Sequence, residues 1–184
     1  MYTGSNPTAL QSQQWIAQAL LELMDELSWR EIAIKQVCTR AGVARQTFYN
    51  LFDSKEDVLR YVLRTRYLHQ LAALDPASGS VAPEAMAAAF AAVVEGSEHL
   101  LDLMVQSGLE AIITEEVAAA VSLFADQFVR DPARIETLPY AKAMASGALA
   151  YLLVCWLKED QPISVDEMAR LIGQFFAGEL FEAA

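Results

Sequence analysis

Apolar residues recur at intervals of three and four through most of the chain, which predicts helices rather than strands. In the first stretch, at about 8–27, Ile16, Leu20 and Leu23 fall on one face. Thr8 is placed to cap the start of this helix. Further helices are predicted at about 34–40, 45–51, 54–74, 84–95, 97–107, 115–130, 137–159 and 164–181. No sustained period-2 alternation bounded by turn residues interrupts them, so the fold is predicted to be all-α.

Charge is distributed unevenly along this helical chain. Its 184 residues carry a net charge of −11. Residues 1–68 contain 8 basic and 7 acidic side chains, whereas residues 69–184 contain 5 and 17. No acidic side chain occurs between Lys35 and Asn50. A locally basic window in an acidic protein is typical of a module that binds an anion, although chance clustering of so few cations gives the same counts.

The segment at 39–59, TRAGVARQTFYNLFDSKEDVL, overlaps that basic window and predicts a structural motif. A short helix ends at Ala41-Gly42-Val43, where the glycine can adopt a positive φ, and a second short helix follows. Two short helices joined by such a turn form a helix-turn-helix, whose second helix lies in the major groove of DNA. A helical corner with a solvated polar face is the alternative interpretation.

The second helix of this motif divides into two faces. Phe48, Leu51 and Phe52 are expected to point inward, so the polar side chains project outward. Arg can bridge guanine O6 and N7, Gln and Asn can bridge adenine N6 and N7, and a Thr methyl can contact the thymine methyl. Tyr and Lys suit phosphate oxygens, especially beside the free N–H groups that begin a helix. The candidate DNA-binding residues on this reasoning are Arg45, Gln46, Thr47, Tyr49, Asn50 and Lys55.

Residues 34–59, IKQVCTRAGVARQTFYNLFDSKEDVL, resemble the DNA-binding signature of TetR-type transcriptional regulators. The resemblance covers about residues 10–66 and rests on the AGV turn, TFYNLF and the DSKEDVL helix start. It implies an all-helical homodimer, in which a three-helix N-terminal reader is joined by the fourth helix to a ligand-binding and dimerising body. It also implies that Lys35 meets DNA together with the candidates named above.

The resemblance suggests two domains. We expect a helix-turn-helix DNA-binding domain at 1–53, after a frayed tail at 1–7, and a helical effector-binding and dimerisation domain at 54–184. Two residues depart from the family pattern, because Ala33 and Ala44 stand where a polar helix cap is usual. Losing a cap typically costs ~1 kcal/mol of helix stability. These departures leave open weak DNA binding, or a relative that has become a protein-binding coactivator.

The acidic half of the chain is expected to pair with a second copy of itself through its last two helices. In the helix near 139–158, Ala141, Ala145 and Ala148 recur at spacings of three and four, followed by Leu152, so that two backbones could approach closely. A two-fold dimer would give a small reader two half-sites on DNA. An intrachain core is the alternative for these stripes. The final helix adds Met168, Leu171, Ile172, Phe175 and Phe176.

The middle helices are expected to enclose a small apolar or aromatic effector, because several of their side chains are large, adaptable and apolar. An ordinary packed core is the alternative for each of these side chains. The candidate pocket residues are Met86, Phe90, Leu101, Met104, Phe124, Phe128, Tyr151 and Trp156.

Neither an enzyme, a metal site nor a cofactor is indicated by the remaining residues. His99 has Glu95, Glu98 and Asp102 near it in sequence, and a solvated acidic helix face accounts for this group better than a metal site does. The chain has no nucleophile–base set, no phosphate-cradling glycine loop and no zinc spacing.

The chain is expected to be cytoplasmic, with no membrane segment. Its N-terminus lacks the layout of a signal peptide. The longest apolar stretch, Gly147 to Leu157, is shorter than a bilayer requires. Cys38 and Cys155 lie in apolar helical patterns and give no disulfide framework.

These features predict a ligand-responsive transcriptional regulator, a repressor, that binds a near-palindromic operator as a homodimer. The competing hypothesis is a helical coactivator that binds a protein partner and has abandoned DNA. A third and weaker hypothesis is a small-molecule-binding protein or enzyme built on the body. Steep loss of affinity with salt, through counterion release, distinguishes a DNA reader from a coactivator.

Overall fold

A computed structural model describes residues 2, 4–73, 83–128, 136–159 and 162–179, apart from the side chains of residues 71, 73, 83 and 126–128. Within these ranges the regular structure is helical throughout and contains no strand, which confirms the predicted all-α fold. The helices are α1 (Pro7–Glu26), α2 (Ile34–Ala41), α3 (Arg45–Leu51), α4 (Lys55–Ala73), α5 (Pro83–Glu95), α6 (Glu98–Gln106), α7 (Glu110–Phe128), α8 (Leu138–Lys158) and α9 (Val165–Ala177).

Helix α7 is the element whose predicted start was wrong. It begins at Glu110, five residues before the predicted start at 115. The missed turn contains Ile112, Ile113 and Thr114, and β-branched residues are modest helix formers. Ile112 and Ile113 are 5% and 1% exposed, so burial against neighbouring helices outweighs their weak intrinsic preference.

The first and last helices are capped by local side chains. Asn6, not the predicted Thr8, caps α1: its Oδ1 accepts from the Thr8 N–H at 2.9 Å, and Pro7 takes the first helical position. At α9 a capping box forms, in which Ser164 Oγ accepts from the Glu167 N–H at 3.2 Å. Glu167 Oε2 accepts in turn from the Ser164 N–H at 3.3 Å.

The chain divides into two compact units, Met1–Leu63 and Arg64–Ala184, and the division falls within α4. In the first unit, called the reader below, α1 packs against α2 and α3. Its core includes Ile16 and Phe48, both 0% exposed. The predicted boundary between residues 53 and 54 stays a prediction, whereas the reader's packing continues through Val58 and Leu59 of α4, which are also fully buried.

In the second unit, called the body below, α5 packs against α9 and α7 packs against α8. Its interior contains a buried carboxylate, because Glu116 of α7 is 3% exposed. Arg64 of α4 binds it in a two-pronged ion pair, with Nε–Oε2 and Nη2–Oε1 distances both 2.8 Å. The Tyr67 hydroxyl lies 3.4 Å from the same carboxylate. This cluster joins α4 to α7 inside the body.

Helix α8 presents an uncovered apolar face. Tyr140, Met144 and Tyr151 are 74%, 75% and 75% exposed, and the small residues Ala141 and Ala148 between them are exposed too. By length and composition this 21-residue helix, whose most apolar 18-residue window has a mean hydropathy of 1.3, could cross a membrane, although that test is weak for a single helix. This result does not overturn the expectation of no membrane segment, because one such helix is weak evidence for a span.

The apolar residues of α9 divide between the interior and the surface. Met168 and Ile172 are 0% and 3% exposed, so these two belong to the intrachain core that was the alternative for this stripe. Leu171 and Phe176 are half-buried, and Phe175 is 41% exposed. The exposed part of α9 is therefore much smaller than the sequence pattern suggested.

Candidate nucleic-acid interface

The turn between α2 and α3 has the predicted glycine conformation. Gly42 has φ 67°, in the left-handed region that favours glycine. The Val43 N–H donates to the Cys38 carbonyl at 3.0 Å, and the Gly42 N–H donates to the Thr39 carbonyl at 3.3 Å. These two bonds end α2 and allow α3 to begin at Arg45. The predicted helix-turn-helix is thus confirmed as a structural motif.

The inner face of α3 fixes the direction of its outer face. Phe48, Leu51 and Phe52 are 0%, 4% and 1% exposed. The Phe48 and Phe52 rings lie 5.9 Å apart, and Phe52 meets Tyr61 of α4 edge to face at 5.6 Å. Since the inner face is immobilised, the outer face is presented to solvent in one orientation. Of the predicted DNA-binding residues on α3, Arg45, Gln46, Tyr49 and Asn50 are exposed, and Thr47 is half-buried.

Two pairs of neighbours organise the outer face. Gln46 Nε2 donates to Asn50 Oδ1 at 3.0 Å, one turn later, so the two amides are held together. The Tyr49 ring packs edge to face on Phe48, with centroids 5.5 Å apart, while 47% of Tyr49 stays exposed. Buried Phe48 therefore supports the ring from which the Tyr49 hydroxyl projects.

The two alanines at cap positions do lack side-chain hydrogen bonds. At α2, Gln36 compensates in part, because its Oε1 accepts from the Ala33 N–H at 2.7 Å. This is half of a capping box, and the other half requires a hydroxyl at position 33. At α3, Ala44 has no such substitute, although the Phe48 N–H donates to the Ala44 carbonyl at 3.2 Å.

The cations of the reader fall into two groups. Arg40 forms a two-pronged pair with Glu26 at 2.6 and 2.7 Å, which braces α2 against α1. The hydrogen bond raises the pKa of Arg40 and lowers the pKa of Glu26. In contrast, Arg30, Lys35 and Arg45 are exposed and form no ion pair with any described residue. Sequence reasoning missed Arg30, since it lies in the connection before α2, outside the recognisable motif.

Lys55 differs from the other predicted DNA-binding residues. Its ammonium donates to the Trp29 carbonyl and, at 2.9 Å, to the Ile32 carbonyl. It also lies 4.1 Å from the centroid of the Trp29 ring. Burial lowers the pKa of this ammonium. The phosphate contact stays a prediction, but the side chain is already bound within the reader.

The predicted effector residues do not form one set. Leu101, Met104 and Trp156 are buried, and the Trp156 indole N–H donates to the Ile163 carbonyl at 2.8 Å. Met86, Phe90 and Phe124 are half-buried, whereas the side chain of Phe128 lies outside the described residues. Tyr151 is 75% exposed and does not line the interior of this chain. Its contact with an effector stays a prediction, and in the single chain the turn of α8 directs it to the exposed face.

An open cavity of 430 Å³ lies in the body beside the start of α9. Trp156 lines it, together with the carboxylates Glu95, Glu98, Asp166 and Glu167. It shares Trp156 alone with the predicted effector set and is polar where an apolar lining was expected. Among the described residues, no group of three or more His, Cys, Asp or Glu side chains could hold a metal ion.

Comparison with known proteins supports the geometry of the reader. Residues 16–62 match the family model described as bacterial regulatory proteins, tetR family. Over 56 residues the chain is 30% identical to the HTH-type dhaKLM operon transcriptional activator DhaS of Lactococcus lactis subsp. lactis (strain IL1403), a match that covers 30% of each protein.

Two solved structures have a similar fold over nearly the whole chain. The fatty acid degradation regulator FadR from Bacillus halodurans aligns with a TM-score of 0.62 at 17% identity, covering 98% of this chain and 100% of that one. The dihydroxyacetone kinase operon activator DhaS aligns with a TM-score of 0.61 at 13% identity, covering 92% and 96%. At these identities the similarity concerns the fold.

A glycine turn, a buried inner face and a polar outer face define a helix-turn-helix domain of the kind that reads DNA. With the match over residues 16–62, this domain belongs to the TetR family of bacterial regulatory proteins, which are DNA-binding transcriptional regulators. The resemblance found in the sequence is thereby confirmed.

Proposed function

We propose that the protein is a ligand-responsive transcriptional repressor that binds a near-palindromic operator as a homodimer. The outer face of α3 carries this proposal, because Arg45, Gln46, Tyr49 and Asn50 are all exposed on one short, immobilised helix. These side chains supply the donors and acceptors that base edges and phosphates require.

The contacts divide by chemistry. Arg45, Gln46 and Asn50 are proposed to read base edges, with the Thr47 methyl toward a thymine. Lys35 and the Tyr49 hydroxyl are proposed to bind phosphates, which set the orientation of the helix in the groove. Arg30 joins them on the strength of its exposure and its unpaired charge among the described residues.

The homodimer is proposed to form through α8, with a contribution from the exposed edge of α9. Tyr140, Met144 and Tyr151 provide large apolar side chains, and Ala141 and Ala148 allow close approach of a second helix. An exposed apolar stripe of this kind is unusual on a monomeric surface. A dimer would place two copies of α3 on successive half-sites of DNA.

An apolar or aromatic effector is proposed to bind the body. Leu101 and Met104 lie in its interior, and the half-buried side chains of Met86, Phe90 and Phe124 lie on α5 and α7. An effector releases the operator only if it binds the released conformation more tightly than the DNA-bound one. We therefore expect a compound that lowers operator affinity to be bound more weakly when the operator is present.

The first test selects operators from random duplex DNA with purified full-length protein and sequences the bound pool. A two-fold symmetric motif is expected. In a plot of the logarithm of affinity against the logarithm of salt concentration, each phosphate contact should contribute about −0.9 to the slope. Sedimentation should show a dimer. No enriched sequence from a folded dimer would overturn the DNA-binding proposal and favour the coactivator, which should show no specific DNA binding at any salt.

Activation is the second candidate, because both DhaS proteins are named as operon activators. A reporter placed behind the selected operator distinguishes the two directions. Repression predicts higher expression after deletion of the protein, and activation predicts lower expression.

The same proposal makes the protein a non-enzymatic cytoplasmic regulator that needs no cofactor and does not insert α8 into a membrane. The apolar face of α8 is then covered by a second subunit. Cell fractionation should recover the dimer in the soluble fraction, and recovery with membranes after a carbonate wash would contradict this arrangement.

A further inference from the structure

The connection from α1 to α2 is held by its own buried Ile32, which is 3% exposed, and by one side chain of another helix. This segment, Ser28–Ala33, is braced internally by Ser28, whose Oγ donates to Glu31 Oε2 at 2.6 Å. Its far end meets α2 at Ala33, which has no capping side chain of its own and whose N–H donates to Gln36 Oε1 at 2.7 Å. Between these points, the carbonyls of Trp29 and Ile32 both accept from the Lys55 ammonium of α4.

The half-buried Lys55 side chain has three partners within the reader. An ammonium has three N–H donors and no acceptor. Two donors go to the carbonyls of the connection, and the cation lies 4.1 Å from the Trp29 ring centroid. A cation over an indole face is stabilised by the ring quadrupole, more so when water is excluded. A phosphate would compete with these partners for the ammonium.

We propose that Lys55 is a positioning residue of the reader, which fixes the Ser28–Ala33 connection and through it the start of α2, and is not itself a phosphate contact. The proposal rests on the proposed DNA-binding function. Its consequence for DNA is indirect, because Arg30 lies in the connection and Lys35 lies in the first turn of α2. Both are exposed cations whose positions depend on where the connection is held.

Salt dependence distinguishes a positioning lysine from a phosphate-binding lysine. Operator affinity is measured across salt concentrations for the full-length wild type, Lys55→Met and the matched control Lys35→Met. A lost phosphate contact lowers the log–log slope by about 0.9. We expect that reduction for Lys35→Met. For Lys55→Met we expect an unchanged slope. Operator affinity should be lower than that of the wild type by about three- to tenfold at every salt concentration, comparable to the loss of one ordinary hydrogen bond.

Two outcomes would overturn the proposal. A slope reduced as much by Lys55→Met as by Lys35→Met would make Lys55 a phosphate contact. If the folded Lys55→Met variant binds the operator as tightly as the wild type, Lys55 serves only the stability of the fold. That conclusion holds even if the variant has a lower melting temperature. The indole ¹⁵N–H signal of Trp29 checks the local effect, since removal of the cation should shift it.

The wild type supplies a second measurement that needs no variant to fold. In a ¹⁵N spectrum the Lys55 ammonium should give a slowly exchanging signal, unchanged when the selected operator is added. A rapidly exchanging signal, or one that shifts with the operator as the Lys35 signal does, contradicts the assignment. If the wild type binds no DNA, the proposed function fails, and the free-protein spectrum still tests the placement of Lys55.

Discussion

Tyr49 combines a structural and a surface role in one side chain. Its ring is supported by buried Phe48, and its hydroxyl is free to meet a phosphate. Gln46, which donates to Asn50 one turn later, is proposed to read a base edge. Although both lie on the same face of α3, their substitutions should have different signatures, because phosphate contacts carry no sequence information and base contacts do.

Tyr49→Phe should weaken binding to all DNA sequences, since it removes one hydrogen bond to the backbone and keeps the ring. Gln46→Ala should instead relax the preference at one base pair, at a cost of about 1–3 kcal/mol for the preferred operator. Competition binding against single-base operator variants measures both effects. Gln14→Ala, at an exposed position of α1, is the control and should change neither. If Gln46→Ala distinguishes the single-base operator variants as well as the wild type does, the assignment of α3 to the major groove is refuted.

Tyr67 should make the stability of the body depend on high pH. Burial, and then the charge of Glu116, raises the pKa of Tyr67 from 10.0 to about 12. Because the folded pKa lies above the unfolded one, this contribution is complete below pH 10 and is lost as pH rises toward 12. Chemical unfolding of wild type and Tyr67→Phe should therefore differ in slope across this window. Parallel curves would show that Tyr67 ionises normally.

At the scale of elements, α2 and α3 begin without side-chain caps. Ala33→Ser adds a hydroxyl opposite Gln36, whose side chain already accepts from the Ala33 N–H. A complete capping box should stabilise the reader by about 0.5–1 kcal/mol. Thermal melting of the full-length protein measures the gain. Ala88→Ser, at an exposed interior position of α5, controls for the added hydroxyl and should give no gain.

The ion pair between α4 and α7 should be sensitive to removal of its cation. Arg64→Met leaves the Glu116 carboxylate, which is 3% exposed, without its main partner. Loss of this ion pair to a buried carboxylate should lower the free energy of unfolding by about 2–3 kcal/mol. Arg170→Met, at an exposed residue of α9, should change stability by less than about 0.5 kcal/mol. Equal effects of the two changes in urea unfolding would show that the pair contributes nothing specific.

Periodicity was sufficient to predict the helices and the two faces of α3, because both depend on spacing along one element. Phe48 and Leu51 point inward as predicted for that reason. Lys55 could not be placed in this way, since its partners are carbonyls more than twenty residues earlier in the chain. The pair between Arg64 and Glu116 was missed for the same reason: it spans 52 positions, and no local pattern encodes it.

At the scale of the whole molecule, the uncovered face of α8 is the feature that a single chain leaves unexplained. The sequence predicted α8 as a dimer contact from the spacing of its alanines, but large side chains make up most of its exposed area. A stripe pattern shows which residues share a face, and it does not show which face the neighbouring helices cover. Sequence alone could not show that Tyr151, a predicted pocket residue, is 75% exposed in the single chain.

Met144→Glu should dissociate the dimer, because it places a charge in the middle of the apolar face, where Met144 is 75% exposed in the single chain. The variant should sediment as a monomer and bind the operator far more weakly, since each half-site is then bound alone. Leu68→Glu makes the same kind of change at a 48% exposed position of α4 and should stay dimeric. A dimeric Met144→Glu protein with full affinity would move the interface elsewhere.

The hydrogen bond between Gln46 and Asn50 has a consequence for how operator preference changes over evolution. Because each amide orients the other, replacing one leaves its neighbour without a fixed rotamer. A single substitution should therefore produce a protein that tolerates several base pairs at the contacted position, and not one with a new preference. In a homodimer that permissiveness is expressed in both half-sites at once. New specificity is therefore expected to arise by paired replacement at positions 46 and 50, with a promiscuous intermediate between the old regulator and the new one.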